Sequence, residues 1–283
     1  MNQIRADGYS PTIRKRSLSR RLVELRKACG LTTTEVQRQL NWSASKLNYI
    51  EKAKWIEPNS DAVADLCELY GVEGREREAL IQLAREGRQR GWWRKYNDVF
   101  PDELPGFEAG ACQIRTFETT FIPGLLQVPG YIELITRAAG IEDPAAIRHH
   151  LDARVERQKI LTRDHDPCAL HAVIDENAIL RITDPQIRHD QTARILDLAS
   201  RPAIDVQLLP IAAGVYPGAG EVFSYLSFPD PAERDIVYLE SAIDDRMLEE
   251  TDELERYKLR FTQLAAAALT PRQTRDHLTH QNA

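Results

Sequence analysis

Two helix-start signals near the N-terminus, eleven residues apart, constrain the fold more than any other feature of this sequence. In residues 31–36, LTTTEV, Thr32 can accept a hydrogen bond from a free backbone N–H, and Glu35 can reach back to the cap. In residues 42–47, WSASKL, Ser43 occupies the cap position. At each start, an apolar residue before the cap (Leu31 or Trp42) is spaced to pack against an apolar residue inside the helix (Val36 or Leu47). The two signals predict two helices in close succession.

The first of these helices is short, because the second cap follows so soon. It has room for about two turns and ends near Leu40. A short helix followed almost at once by another is the layout of a helix-turn-helix, whose second helix enters the DNA major groove. This layout predicts a DNA-binding regulator. The alternative is an amphipathic helical hairpin with a solvated basic face.

Charge is distributed unevenly along the chain. Residues 1–56 hold twelve Lys and Arg against four acidic residues, a net charge of +8. Because the whole chain has a net charge of −6, residues 57–283 carry −14. A basic segment attached to an acidic body is typical of a phosphate-binding module joined to a different kind of domain.

A length of 283 residues predicts about two domains. Apolar residues at helical spacing, interrupted by glycines, predict five short helices between residues 17 and 88. Charges, glycines, prolines and adjacent tryptophans break that pattern over residues 89–110. We therefore predict a flexible basic arm (1–16), an all-α five-helix domain (17–88), a linker (89–110) and a larger α+β domain (111–283).

Helices and strands alternate in the predicted second domain. Residues 130–140 read as one helix, and Asp143 with Pro144 in the first turn predicts the start of another. Apolar residues between Leu254 and Ala268 fall at helical spacing and predict a closing helix. Runs of β-branched and aromatic residues predict strands at 169–174, 203–210, 222–228 and 235–240.

The second capped helix has an outer face that can reach base edges within its first two turns. The candidates for base contacts on that face are Ala44, Ser45, Asn48 and Tyr49. Asn48 is the best of them, because its amide can pair bidentately with adenine. Contacts to DNA phosphates are predicted for Arg20, Thr33, Ser43, Lys46, Lys52 and Lys54.

Residues 19–72 resemble the lambda-repressor and Cro type of domain found in XRE-family transcription regulators. Glu51 matches the acidic residue that typically ends the recognition helix in that family. The sequence departs from the family where Thr33 stands in place of a common Gln, and where Asn41 and Ala53 stand in place of common Gly residues. Asn41 can still adopt the left-handed conformation. The resemblance implies a lambda-repressor-like fold for the first domain.

The resemblance extends through the second domain. Similarity to a large actinobacterial subgroup of these regulators lies in the segments GWWRKY, IRTFETTFIPGLLQVPGY, ARVERQKIL, ERDIVYLE and ERYKLRFTQLAAAAL. Members of that subgroup are often encoded beside a small partner protein. The resemblance implies a role in development, antibiotic production or antitoxin-like control.

Candidate catalytic and metal-binding residues are few. The four cysteines are scattered without a C-x-x-C pair, and His165, Cys168 and His171 lack an evident fourth ligand. Neither a nucleophile elbow nor a phosphate loop is present in the sequence. We therefore expect no metal, no cofactor and no enzymatic activity.

A small-molecule pocket is predicted from charged residues that flank apolar segments and a strand of the second domain. If these side chains converge, guanidinium groups there can hold a small polar or anionic effector. The alternative is that they form ion pairs that position helices on the sheet. The candidate set comprises Arg115, Glu118, Arg154, Arg157, Asp175 and Glu176.

We predict a cytoplasmic homodimer that reads an inverted repeat in double-stranded DNA, with half-sites about 34 Å apart. No membrane partner is expected, because no apolar run approaches the roughly 20 residues that span a bilayer and no signal peptide is evident. The acidic domain is expected to dimerise and to receive a signal from a small molecule or from the partner protein. Two rival hypotheses are an antitoxin-like protein that sequesters a small partner and autoregulates its operon, and an enzyme domain on a DNA-binding head.

Overall fold

A computed structural model of the chain shows two compact units, one ending at Lys95 and one beginning at Tyr96. The structure describes residues 10–55, 57–100, 103–216, 218, 220–240 and 245–282.

The first unit is helical, as predicted. Its helices are α1 (Pro11–Ala28), α2 (Thr33–Leu40), α3 (Ala44–Glu51), α4 (Ser60–Leu69) and α5 (Gly74–Gly87). They enclose one apolar core, in which Leu18 and Leu22 of α1 meet Val36, Leu47 and Leu66 from the next three helices. This core holds the two short helices of the helix-turn-helix against α1 and α4.

Helix α1 begins earlier than the sequence predicted. The predicted flexible arm over residues 1–16 is wrong from Pro11 onward, while the residues before Ser10 lie outside the described part of the chain. Ser10 caps the helix, Pro11 occupies its first turn, and Lys15 is buried because α1 packs against α5. Arg14 lies 3.2 Å from a carboxylate oxygen of α5. The hydrophobic pattern missed this turn because its packed residues are polar.

The second unit contains the predicted mixture of helices and strands. Its elements are α6 (Leu104–Gly110), β1 (Gln113–Glu118), α7 (Pro129–Ala138), α8 (Pro144–Gln158), β2 (Ala169–Asp175), α9 (Asn177–Leu180), α10 (Pro185–Leu198), β3 (Ile204–Leu209), β4 (Phe223–Ser227), β5 (Ile236–Leu239), β6 (Arg246–Leu248), α11 (Thr251–Ala267) and α12 (Pro271–Asn282). The four predicted strands correspond to β2 to β5. Strands β1 and β6 and helices α6, α9, α10 and α12 were not predicted. The predicted linker (89–110) is wrong over residues 104–110, because these residues form the buried helix α6 of the second unit.

The described strands form one sheet in the order β3-β2-β1-β4-β5-β6. Strands β1, β2 and β3 are parallel, and Phe117 of β1 lies beside Val173 of β2. Strands β4, β5 and β6 continue the sheet in antiparallel pairs, so β1 has a parallel neighbour on one side and an antiparallel neighbour on the other. The connections from β1 to β2 and from β2 to β3 carry helices, as parallel strands require.

Helix α11 covers one face of the sheet. Phe261 and Leu264 of this helix pack with Phe117, Val173 and Phe223 in a single apolar cluster. At the free edge of β3, the backbone N–H of Leu269, between α11 and α12, donates to the carbonyl oxygen of Leu208, and the backbone N–H of Leu208 donates to the Thr274 hydroxyl of α12. The alternate residues of β1 and β2 are also buried, so the sheet is covered on both faces near its centre.

Candidate functional site

Helix α2 begins at the predicted cap. The Thr32 side chain accepts a hydrogen bond from the backbone N–H of Glu35 at 3.2 Å, and the Glu35 carboxylate accepts one from the backbone N–H of Thr32 at 2.8 Å. The bond from the Thr32 backbone and a second bond from the Thr32 hydroxyl, at 2.7 Å, lower the pKa of the Glu35 carboxyl. Leu31 packs against the apolar cluster that contains Val36. The predicted capping box and the end of the helix at Leu40 are confirmed.

The turn between α2 and α3 depends on a left-handed residue, Asn41, with φ 52° and ψ 42°. The backbone N–H of Trp42 donates to the carbonyl oxygen of Gln37 at 2.9 Å and closes the end of α2. Ser43 accepts a hydrogen bond from the backbone N–H of Lys46 at 3.2 Å, as the second start signal predicted. Lys46 Nζ lies 3.6 Å from the centroid of a Trp42 ring, in cation–π geometry. The two helices are therefore joined by a short and well-defined turn.

Helix α3 has one buried face and one exposed face. Leu47 and Ile50 are buried in the core of the first unit. All the candidates for base contacts are exposed, and Tyr49 is the most open large side chain among them, at 53% exposure. This exposed set is Ala44, Ser45, Asn48 and Tyr49. Their contacts with bases stay a prediction.

An ion pair clamps the end of α3 to α1. Arg26 Nε lies 2.6 Å from Glu51 Oε1, and Arg26 Nη2 lies 3.0 Å from Glu51 Oε2, which makes the pair bidentate. Arg26 Nη1 also donates to the carbonyl oxygen of Leu31 at 2.9 Å, just before α2 begins. Trp55, which follows α3 in the chain, donates from Nε1 to Ser19 Oγ of α1 at 3.2 Å. These bonds set the position of α3 relative to α1 and α2.

Most of the candidates for phosphate contacts are also exposed. Arg20 differs from the others, because its side chain is 25% exposed and its Nε lies 3.9 Å from a carboxylate oxygen of Glu24. Thr33 is the first residue of α2, where backbone N–H groups can meet a phosphate. The exposed candidates are Thr33, Ser43, Lys46, Lys52 and Lys54.

The structure divides the predicted effector pocket of the second unit. Arg115 and Glu118 both belong to β1, but they are an odd number of residues apart and so lie on opposite faces of the sheet. The Arg115 guanidinium lies 5.9 Å from the ring centroid of Tyr225, which belongs to the cluster under α11. The full predicted set therefore does not line one pocket.

Asp175 and Glu176, at the end of β2, have partners of their own. The Tyr216 hydroxyl donates to Asp175 at 2.7 Å, and burial together with this bond raises the pKa of Tyr216. Glu176 accepts a hydrogen bond from the backbone N–H of Ile211 at 2.9 Å and lies 2.8 Å from His277 Nε2. These two carboxylates tie the strand end to the loop after β3 and to α12. For them the geometry matches the alternative of ion pairs and hydrogen bonds that position structural elements.

The other three predicted residues come together beside the carboxyl end of β1. Arg157 forms a bidentate pair with Glu108, at 2.6 and 2.8 Å. Burial raises the pKa of Glu118 to about 8, with a further rise from Glu240 that Arg157 opposes. Burial and the neighbouring Arg157 lower the pKa of Arg154. These shifts indicate a poorly solvated charged cluster rather than an exposed group of ion pairs.

Buried glutamines beside this cluster escaped the sequence analysis. Gln191 is fully buried and donates to the carbonyl oxygen of Leu126 at 2.8 Å, while it accepts from the backbone N–H of Val128 at 3.0 Å. Gln127 and Gln158 are also buried and bind backbone carbonyl groups of the same loop. The only signal in the sequence is a single Gln within the apolar run FIPGLLQV, which marks Gln127.

The described residues contain no group of three or more His, Cys, Asp or Glu side chains placed to hold a metal ion. Among the helices of that same part of the chain, none combines the length and the apolar character needed to cross a membrane.

Comparisons with known proteins agree with the division into two units. Residues 17–80 match the family model of a helix-turn-helix domain, which supports a DNA-binding regulator. Residues 102–280 match the model of a domain of unknown function, DUF5753. No curated protein and no solved structure matches the chain significantly. Since the second match covers more than half of the chain, this protein belongs to the DUF5753 family and carries a helix-turn-helix domain ahead of the family's own domain.

Proposed function

We propose that this protein is a sequence-specific transcriptional regulator of the XRE type that binds DNA through the exposed face of α3. The observation that carries the proposal is the exposure of Ser45, Asn48 and Tyr49 on a helix whose other face is buried. A recognition helix needs such a face, free for base edges and held at a fixed angle by its neighbours. The Arg26–Glu51 clamp supplies the fixed position.

Charge supports the same function. The first 56 residues carry +8 in a chain whose net charge is −6, so phosphate attraction is concentrated near the helix-turn-helix. Lys46, Lys52 and Lys54 flank the exposed face of α3 and are themselves exposed. In this proposal they bind phosphates without regard to sequence, and the α3 side chains discriminate among bases.

In this proposal the protein acts as a cytoplasmic homodimer that binds an inverted repeat, with two α3 helices spaced about 34 Å apart. The second unit mediates dimerisation and receives a signal that favours one spacing of the two DNA-binding units. Sedimentation of the free protein and of its DNA complex tests the dimer, because a single protomer per operator contradicts it.

Genome-wide DNA enrichment with the tagged full-length protein tests the central proposal. We expect a recurring inverted repeat among the enriched fragments. Purified protein should then bind that repeat at least 10³-fold more tightly than random competitor at near-physiological salt, which is about the low end for specific regulators. Equal affinity for both DNAs would refute sequence-specific binding.

Two variants separate base reading from phosphate binding. Asn48→Ala should reduce discrimination at one base pair by about 1–3 kcal/mol, because a bidentate amide contact is lost. Lys46→Ala should weaken binding to all sequences alike and reduce the salt dependence by roughly one counterion. Arg272→Ala, in α12 of the second unit, removes the same charge from an exposed site and should change neither property. An unchanged base preference in Asn48→Ala would remove Asn48 from the reading set.

A further inference from the structure

The carboxyl end of β1 is a position where open sheets bind ligands. The chain proceeds from β1 to β2 and β3 on one side, then returns to β4 on the other side of β1. The loops that follow the carboxyl ends of the parallel strands β1, β2 and β3 therefore lie at one edge of the sheet, which is the edge where open sheets of parallel strands bind ligands. Glu118 is the last residue of β1 and lies at this point.

The loop that follows β1 is held rigidly from within. The Tyr131 hydroxyl accepts a hydrogen bond from the backbone N–H of Ile122 at 3.2 Å, and Gln127 Nε2 donates to the carbonyl oxygen of Ile122 at 2.8 Å. Gln158 Nε2 donates to the carbonyl oxygens of Gly124 and Gln127, at 3.1 and 2.8 Å. A loop fixed by buried side chains is preorganised, so a ligand that binds against it loses little free energy to ordering.

One charged group that faces this loop, Arg154, has incomplete bonding. Arg154 Nε is buried and has no hydrogen-bond partner in the described part of the chain. Its Nη1 lies 3.4 Å from Gln127 Oε1, a long and weak contact. Arg157, one helical turn away, is by contrast fully engaged with Glu108. Buried donors normally have acceptors, so Arg154 lacks a partner that the described residues do not supply.

Neutral donors lie near the same guanidinium. The Tyr131 oxygen already accepts a bond from a backbone N–H, so its own proton is available to donate. Burial raises the pKa of Glu118 to about 8, and therefore at pH 7 this carboxyl is mostly protonated and can donate as well. Burial and Arg157 lower the pKa of Arg154, which an anion bound beside it would reverse. Glu118 and Arg154 both act electrostatically on Tyr131, so the cation and the two neutral donors lie in one neighbourhood.

We propose that Glu118, Tyr131 and Arg154 form a binding site for a small monocarboxylate. The inference rests on the proposed function, in which the second unit receives a signal, and it names the chemical class of that signal. A carboxylate has two oxygens that can accept from Arg154 and from the neutral O–H donors. A phosphate dianion fits poorly, because the Glu240 carboxylate lies near both Glu118 and Arg154 and repels a dianion more strongly than a monoanion.

The protonation of Glu118 couples carboxylate binding to pH. Above pH 8 this residue ionises and repels a bound anion, so the affinity for a carboxylate falls between pH 7 and pH 9. The charged and titratable groups near Glu118 or the bound anion are Arg154, Arg157, Glu108, Glu240, Tyr131 and His150.

Ligand-detected NMR with the full-length protein tests the site. The probes are acetate, isobutyrate and benzoate, with benzamide as the neutral counterpart of benzoate and inorganic phosphate as the dianion. We expect at least one carboxylate to bind at low millimolar concentration or better, and to bind more tightly than benzamide and phosphate. Absence of binding by all three carboxylates, or equal binding of benzamide, would overturn the proposal. Preferred binding of phosphate would overturn it too.

Variants of the same protein assign the site. Arg154→Gln should weaken the bound carboxylate by about tenfold or more, since a charge-assisted bond is lost. Arg148→Gln is the matched control, because it makes the same change at an exposed position of the same helix and should leave binding unaffected. Equal weakening by both variants contradicts the assignment.

Glu118→Gln gives a second measurement if Arg154→Gln does not fold. The amide resembles the protonated acid, so carboxylate binding at pH 7 should persist while its decline toward pH 9 disappears. Retention of the wild-type pH dependence would refute the role of Glu118. Operator binding by the same preparations is measured in parallel. Sequence-specific DNA binding without carboxylate binding would refute only the proposed carboxylate site. Carboxylate binding without sequence-specific DNA binding would refute the proposed function as a regulator.

Discussion

The clamp between α1 and α3 predicts a large and local effect of a single isosteric substitution, Glu51→Gln. In the folded protein Glu51 accepts two charge-assisted bonds from Arg26, at 2.6 and 3.0 Å. These bonds raise the pKa of Arg26. The glutamine side chain has the same shape, but it can accept only one of the two bonds and turns an N–H donor toward the guanidinium. The substitution therefore removes the charge and one bond without creating a cavity.

The expected cost follows from the burial of the pair. The Arg26 and Glu51 side chains are 12% and 13% exposed, so water can replace little of the lost hydrogen bonding to Arg26. Truncating one partner of a buried pair costs about 3–5 kcal/mol, and exposed pairs contribute about 1 kcal/mol or less. A mostly buried pair that keeps one of its two bonds falls between these limits. We expect a cost of about 2–3 kcal/mol, concentrated in α3.

Hydrogen exchange in the full-length protein measures this cost where it arises. A loss of about 2–3 kcal/mol should accelerate exchange of the protected α3 amides by roughly 30- to 150-fold. Glu76→Gln is the matched control, because Glu76 pairs with Arg21 through side chains that are 46% and 45% exposed. It should change exchange by less than about fivefold. Similar effects of the two substitutions would show that burial does not determine the strength of this clamp.

Three further predictions concern backbone conformation, capping and pH. Ala53 has φ 53°, a left-handed conformation that favours glycine, so Ala53→Gly should stabilise the first unit by about 0.5–1 kcal/mol. The control Ala79→Gly, on the exposed face of α5, should destabilise the same unit by about 1 kcal/mol. Urea unfolding measures both changes, and destabilisation by both substitutions would contradict strain at Ala53. Thr32→Ala should cost about 1 kcal/mol because α2 loses its cap, and unchanged exchange of the first α2 amides would argue against this. The pKa of Glu118 rises from an ordinary value of 4.5 to about 8 on folding, so its contribution to stability is complete below pH 4.5 and is lost as the pH rises toward 8. Wild-type protein should therefore lose stability relative to Glu118→Gln between pH 5 and pH 9, and a constant difference in unfolding midpoint would refute the shift.

Local signals were sufficient for the helix-turn-helix. A cap depends on residues within three or four positions of each other, which is why Thr32, Glu35 and Ser43 predicted the starts of α2 and α3 correctly. The left-handed turn at Asn41 follows from the same short range. Leu47 pointed inward and Asn48 outward in the prediction, as they do in the structure, because helical periodicity alone determines which residues share a face.

Elements with polar or interrupted patterns were missed. Strand β1 reads QIRTFE, and its charged residues conceal a central strand of the sheet. The first turn of α1 packs polar residues against α5, so hydrophobic spacing placed its start too late. Strand order was equally inaccessible, since β1 and β4 are hydrogen-bonded neighbours although more than 100 residues separate them.

By itself the sequence determined where α2 and α3 start, where α2 ends, which side of α3 meets solvent, and that an acidic α+β unit follows. Those properties depend on neighbours along the chain. Only the tertiary structure decided which distant charges meet: Arg26 with Glu51, Arg157 with Glu108, and Glu118 near Arg157 while Arg115 lies on the opposite face. The reason is that burial and pairing depend on through-space distance, and packing of the sheet and helices sets that distance for residues far apart in the chain.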